Sequence, residues 1–70
     1  METPFLEELT SRELDVLRLS ADGCSAKIIG QRLFISSSTV KGHSNKIREK
    51  LVAMNMTHAV TIAFRRGILV

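Results

Sequence analysis

One segment, Ser36 to Leu51, concentrates side chains that could bind an anionic polymer. It opens with three serines and a threonine and continues with Lys41, Asn45 and Lys46. Hydroxyl, amide and ammonium groups form hydrogen bonds with phosphate oxygens and base edges. The segment has no paired carboxylates and no nucleophile beside a base, so its chemistry favours recognition over catalysis.

The spacing within this segment predicts an amphipathic helix. Val40, Ile47 and Leu51 fall on one face together with Ser44, so three of the four positions on that face are apolar. The opposite face is polar and mostly basic, and Ser36 is the preferred N-cap. Such a helix suits the major groove of DNA, although a merely solvated helix has the same pattern. The polar face carries Ser38, Lys41, Gly42, Asn45, Lys46 and Glu49.

Charge is distributed unevenly along the chain. Residues 1–24 hold six acidic and two basic side chains, whereas residues 25–70 hold eight basic and one acidic. The net charge is +3 and the sequence pI is about 9.6. A basic half in a small domain indicates an anionic partner, and the alternative is a solvated charged surface.

Composition limits the possible architectures. Seventy residues, 44% of them hydrophobic, suffice for one small domain without a deep substrate pocket. A single cysteine, Cys24, excludes an internal disulfide and a zinc site of paired cysteines, and fits a reducing cytosol. Neither a signal peptide nor a membrane-spanning run is recognisable. We therefore expect a cytoplasmic protein without cofactor or metal, with residues 1–8 as a lead-in and 9–70 as the domain.

Capping signals divide the chain into helices. Thr10 and Glu13 form a capping box, and Gly23 suits the left-handed residue that ends a helix. Ser25 and Asn55 are further N-cap candidates. The predicted fold is all-α: a compact four-helix domain containing a helix-turn-helix, with helices at about 11–22, 26–33, 37–51 and 56–66.

The helix-turn-helix prediction depends on the short second helix. Glycine at Gly30, in its middle, costs about 1 kcal/mol relative to alanine, which predicts a neighbouring helix too close for a side chain. Three residues then connect it to the third helix, and we expect Phe34 and Ile35 among them to fill the core. Two helices joined by so short a turn are typical of a helix-turn-helix.

The fourth helix is predicted to have one buried and one exposed side. Met56, Ala59, Val60, Ala63 and Phe64 are assigned to the inner side. Ile62 then falls on the exposed side, where it is either an ordinary exposed residue or an anchor for pairing with a second copy. The candidate dimer interface comprises His58, Thr61, Ile62 and Arg65.

The motifs of this chain resemble a known family. Leu9-Thr10-Ser11-Arg12-Glu13, Ser38-Thr39-Val40-Lys41 with His43, and Lys50-Leu51 occur at the spacings of the DNA-binding domain of the LuxR/FixJ family of bacterial transcription regulators. The resemblance spans residues 9–68. It implies a four-helix domain whose third helix reads the major groove and whose fourth helix often mediates dimerisation. Members commonly carry an N-terminal receiver or ligand-binding domain, and some are nearly this short and stand alone.

The resemblance also implies roles for individual residues. Lys41, Gly42 and Asn45 match positions that contact bases, with Lys41 also able to contact phosphate. The remaining candidates match or neighbour positions that contact the phosphate backbone, while His43 could instead bond a main-chain group. The full set of predicted DNA-binding residues is Lys27, Ser38, Thr39, Lys41, Gly42, His43, Asn45 and Lys46.

Several residues depart from the family pattern. Gly42 replaces a side chain on the reading face, and Ser44 replaces an aliphatic residue in the buried stripe. Val52 replaces a glycine after the third helix, and His58 replaces a glutamate near the start of the fourth. These departures leave the predicted fold intact and bear on base preference and dimer strength.

The predicted function is sequence-specific binding of double-stranded DNA in bacterial transcription regulation. A protein-interaction module that keeps the helix-turn-helix fold without binding DNA is the main alternative. A basic amphipathic peptide at anionic membranes is a second alternative, but it would need an apolar face that this core consumes. An enzyme is the least favoured class.

Overall fold

The structure is a computed structural model that describes residues 8–70, so the predicted lead-in lies outside the described residues apart from Glu8. Residues 8–70 form four helices and no strand, which confirms the all-α prediction. The first and fourth helices each end one residue earlier than predicted. The helices are α1 (Ser11–Ala21), α2 (Ala26–Leu33), α3 (Ser37–Leu51) and α4 (Met56–Arg65).

Each helix begins at the predicted N-cap. The Thr10 hydroxyl accepts a hydrogen bond from the Glu13 N–H at 3.1 Å, and the Glu13 carboxylate accepts from the Thr10 N–H at 2.9 Å. Ser25, Ser36 and Asn55 accept from the backbone N–H three residues further on. Local side chains therefore satisfy N–H groups that the helix itself leaves without partners.

All four helices end in the same hydrogen-bonding pattern, in which a left-handed residue reverses the chain. In α1 the residue is Gly23, with φ of 89°, and the Cys24 N–H donates to the Leu19 carbonyl at 3.0 Å. The other three helices close the same bond, with Phe34 (φ 60°), Val52 (φ 54°) and Gly67 (φ 75°) as the left-handed residues. The left-handed conformation costs a residue with a Cβ roughly 1–2 kcal/mol.

The core lies where α3 packs against the other three helices. Leu17 from α1 and Ile47 from α3 are fully buried at its centre. The chain after α4 folds back on the core, since Leu69 is buried and Ile68 packs beside it, whereas Val70 is exposed. The buried apolar residues are Val16, Leu17, Ile29, Val40, Ile47, Leu51, Ala59, Ala63 and Leu69.

The prediction that Phe34 fills the core is wrong. Phe34 is 94% exposed, because the left-handed residue of the turn projects outward while Ile35 alone packs against the core. The turn closes tightly on α2: the Ile35 N–H donates to the Gly30 carbonyl at 3.0 Å. A Cβ on Gly30 would lie 2.6 Å from the Ile35 carbonyl oxygen. The lack of space predicted at Gly30 is therefore confirmed, but the neighbour is the turn backbone and not a crossing helix, as had been predicted.

The predicted sides of α4 also need correction. Ala59 and Ala63 face the centre of the core, and successive helical residues are turned by about 100°. Phe64 is consequently carried out of the core and is 50% exposed. Ile62, predicted to be exposed, is instead partly buried against the core.

Candidate nucleic-acid interface

The buried stripe of α3 determines which of its residues face solvent. Val40, Ile47 and Leu51 are buried as predicted, and Ser44 is partly buried beside them. Because these residues fix the rotation of the helix, the predicted reading face points outward as one surface. Its exposed residues are Ser38, Lys41, Gly42, Asn45, Lys46 and Glu49.

The N-terminal end of α3 offers hydrogen-bond donors to an anion. The Ser36 hydroxyl accepts from the Thr39 N–H at 3.0 Å and lies 2.9 Å from the Thr39 hydroxyl. Ser38 and Thr39 are both exposed. The free N–H groups of a first helical turn and the helix dipole favour negative charge, so this end suits a phosphate.

Arg48 belongs to this site although the sequence reasoning missed it. Its guanidinium donates a hydrogen bond to the Asn45 side-chain carbonyl, and the residue is half-buried beside α4. The signal was available, because Arg48 follows Lys41 by seven residues and so lies on the same side of the helix. The bond restricts the orientation of the Asn45 amide.

Lys46 lies further along the exposed face of α3. Its ammonium is 3.8 Å from the Glu49 carboxylate, and both side chains are about two-thirds exposed. Pairs of this kind in water contribute little and exchange readily. Lys46 thus remains available to a phosphate.

An open groove of about 640 Å³ runs beside the reading face, between α3 and the N-terminal ends of α2 and α4. Lys41 and Arg48 line its α3 side, and the small side chain of Ser44 leaves space where an aliphatic residue would extend into it. Ala26, next to Lys27, lines the same groove. The exposed Lys27 therefore lies at the end of α2 nearest this flank of α3.

Lys50 is engaged on the opposite flank of α3. Its ammonium lies 2.8 Å from the Glu13 carboxylate, and the Lys50 and Glu13 side chains are 14% and 6% exposed. Burial alone would raise the pKa of Glu13, but the hydrogen bonds from Lys50 and the Thr10 N–H, with the Lys50 charge, hold it below its ordinary value. The pair joins the last turn of α3 to the first turn of α1.

The remaining candidate residues are placed less uniformly. His43 is partly buried at the border of the stripe. On α4, Thr61 and Arg65 are exposed, whereas His58 and Ile62 are partly buried. His58 Nδ1 accepts from the Met54 N–H at 3.0 Å, one residue before the N-cap Asn55.

Residues 8–70 lack two kinds of feature. That part of the chain contains no group of three or more histidine, cysteine, aspartate or glutamate side chains that could hold a metal ion. None of its helices is long and apolar enough to cross a membrane.

Comparison with known proteins agrees with this geometry. Residues 7–63 match the family described as bacterial regulatory proteins, luxR family. This chain belongs to the LuxR family. Its relatives are transcriptional regulatory proteins.

Individual relatives are regulators considerably longer than this chain. The chain is 45% identical over 62 residues to the transcriptional regulatory protein YxjL of Bacillus subtilis (strain 168), covering 89% of the chain and 28% of YxjL. It is 42% identical over 62 residues to the transcriptional regulatory protein DegU of Brevibacillus brevis, covering 89% of the chain and 26% of DegU.

A solved structure supports the same fold. The response regulator ChrA of a heme-sensing two-component system superposes with a TM-score of 0.85 at 35% identity. The match covers 90% of this chain and 31% of ChrA. The chain thus spans about a third or less of the length of these three relatives.

Proposed function

We propose that α3 enters the major groove of double-stranded DNA with its exposed face toward the base pairs. The observation that carries this proposal is the exposure of that face as one surface by a buried stripe on the same helix. Lys41 and Asn45 address base edges, since lysine suits guanine and asparagine suits adenine. Arg48 lies beside them and orients the Asn45 amide.

Phosphate contacts come from residues around the reading face. The N-terminal end of α3, with Ser38 and Thr39, binds one phosphate through hydroxyl and backbone N–H groups. Lys27 on α2 and Lys46 on α3 neutralise others. These contacts position the domain and carry most of the salt dependence, while the base contacts supply sequence preference. His43 has the position of a further phosphate contact.

A titration with duplex DNA of mixed sequence at several salt concentrations tests DNA binding itself. We expect the logarithm of the association constant to fall linearly with the logarithm of salt concentration, with a slope set by the number of phosphates contacted. Selection from a random duplex pool then tests sequence preference. Binding that is insensitive to salt, or a selection without enrichment, would contradict the proposal and favour a protein-interaction module.

The fourth helix is the proposed dimer interface. Thr61 and Arg65 are exposed there, and Phe64 supplies the exposed apolar area that was expected from Ile62. His58 and Ile62 border this surface. Sedimentation velocity should detect a dimer of the parent that Phe64→Ser weakens, and the selected DNA should contain two half-sites about one helical turn apart.

We further propose that the chain acts as the DNA-binding domain, residues 9–70, of a cytoplasmic regulator rather than as an enzyme. The relatives' lengths support an additional N-terminal receiver or ligand-binding domain in the whole protein. Its signal would then act by changing dimerisation or exposure of α3. Mass determination of the native protein from its host tests this arrangement.

A further inference from the structure

Gly42 lies near the middle of α3, at the centre of its exposed face. Glycine destabilises an exposed helix relative to alanine, because it loses more backbone freedom on folding and shields the backbone less. A glycine at such a position therefore needs a reason, either inside the molecule or in what binds to it.

The other three glycines of the chain have reasons inside the molecule. Gly23 and Gly67 have positive φ angles of 89° and 75°, which a residue with a Cβ adopts at a cost. Gly30 is helical, but a Cβ there would lie 2.6 Å from the Ile35 carbonyl oxygen. Backbone conformation explains the first two glycines, and close packing explains the third.

Gly42 has neither reason. Its backbone is helical, and apart from its chain neighbours and the adjacent backbone of α3, a Cβ built on it meets no described atom within 4 Å. The fold of this chain would thus accept a side chain at Gly42 and would gain stability from it. The space left open by the missing side chain faces away from the protein, on the surface that carries Lys41 and Asn45.

We propose that Gly42 is the point at which the base pairs approach the α3 backbone most closely, and that its missing side chain determines sequence preference. This inference rests on the proposed function of α3. Lys41 and Asn45 flank Gly42, and the short Asn45 side chain reaches a base edge only if the helix lies deep in the groove. A side chain at Gly42 would hold the helix away from the base pair opposite and lengthen both flanking contacts.

The experiment compares the parent with Gly42→Ala and Gly42→Leu, using a duplex selected by the parent and a mixed-sequence duplex. Both variants should raise Tm by about 5 °C, since alanine and leucine are strong helix formers. Gly42→Ala should weaken binding to the selected duplex about tenfold, and Gly42→Leu about a hundredfold. Binding to the mixed-sequence duplex should change by less than about twofold, because phosphate contacts carry it.

Comparison of the two variants distinguishes steric contact between the added side chain and DNA from stiffening of α3. Alanine and leucine have similar helix propensities but different volumes, so a stiffer α3 would affect both variants equally. Gly30→Ala is the control for the effect of an added Cβ on stability. It should lower Tm, because its Cβ meets the turn backbone.

The outcomes distinguish this inference from the proposed function. If the parent selects a site that Gly42→Leu binds with unchanged affinity, the role of Gly42 is wrong and DNA binding by α3 stands. Equal losses for alanine and leucine would also overturn the inference. If the parent selects no site, the proposed function fails and the inference fails with it.

Discussion

Lys50 and Lys41 lie on the same helix and differ mainly in their surroundings. Lys50 is partly buried against Glu13 and joins α3 to α1, whereas Lys41 is exposed on the rim of an open groove. The first holds α3 against α1 and the second is available to a ligand. A lysine of α3 therefore stabilises the fold if a buried carboxylate pairs with it, and is available to the interface if none does.

Replacing Lys50 should produce the largest loss of stability in this comparison. Lys50→Met leaves the Glu13 carboxylate buried without its partner, which should lower the free energy of unfolding by about 3 kcal/mol. Urea denaturation followed by circular dichroism measures the loss. The double variant Glu13→Gln/Lys50→Met is the control, because glutamine retains the capping box and removes the charge. It should recover most of the stability, and an additive further loss would contradict the role assigned to the pair.

Acid should weaken the same contact without a mutation. The pKa of Glu13 is lower in the folded chain than its ordinary value, so its contribution is complete above the ordinary pKa and is lost as pH falls through the lowered folded value. Urea midpoints of the parent and Glu13→Gln should therefore converge as the pH is lowered through that window. A difference that stays constant with pH would show that the carboxylate charge contributes nothing.

Replacing Lys41 should affect DNA binding and leave the fold intact. Lys41→Ala should weaken binding to a selected site by about 1–3 kcal/mol, and should reduce the salt slope by about one if the lysine also contacts phosphate. The free energy of unfolding should change by less than about 0.5 kcal/mol. Fluorescence anisotropy with labelled duplex measures the affinity. An isotherm identical to that of the parent would remove Lys41 from the interface.

Lys46 should show the smallest effect on the fold. Its pair with Glu49 is solvent-exposed, so Lys46→Ala should change the free energy of unfolding by less than about 0.5 kcal/mol. Binding should weaken to a similar extent for selected and mixed-sequence duplexes, because the contact proposed for Lys46 is with phosphate. A loss confined to the selected duplex would instead place Lys46 on a base edge.

Local patterns in the sequence predicted most of the fold. Each N-cap bond forms between residues three apart, and the stripe of Val40, Ile47 and Leu51 needs only the helical period. The ion pair between Glu13 and Lys50 was missed because it joins residues 37 apart, which no periodicity reveals. On α4 the two buried alanines were assigned correctly, but Phe64 and Ile62 were misplaced, because apolar residues are spread around this helix and only packing decides which of them face the core.

The candidate site was predictable to the extent that it lies on one helix. Exposure of Lys41, Asn45 and Lys46 follows from the buried stripe of α3. Arg48 was overlooked, since its part in the site depends on a bond to a neighbouring side chain and on the groove beside α4. The identity of the bases opposite this surface depends on the partner as much as on the chain.

The left-handed residues Phe34 and Val52 are two positions at which the stability of the domain could be increased. Both adopt a backbone conformation that glycine accepts without steric cost, and both side chains are largely exposed. Glycine at the two positions would give a sturdier scaffold, because each site strains the folded state at present. Libraries of altered reading helices could then include substitutions that would otherwise unfold so small a protein.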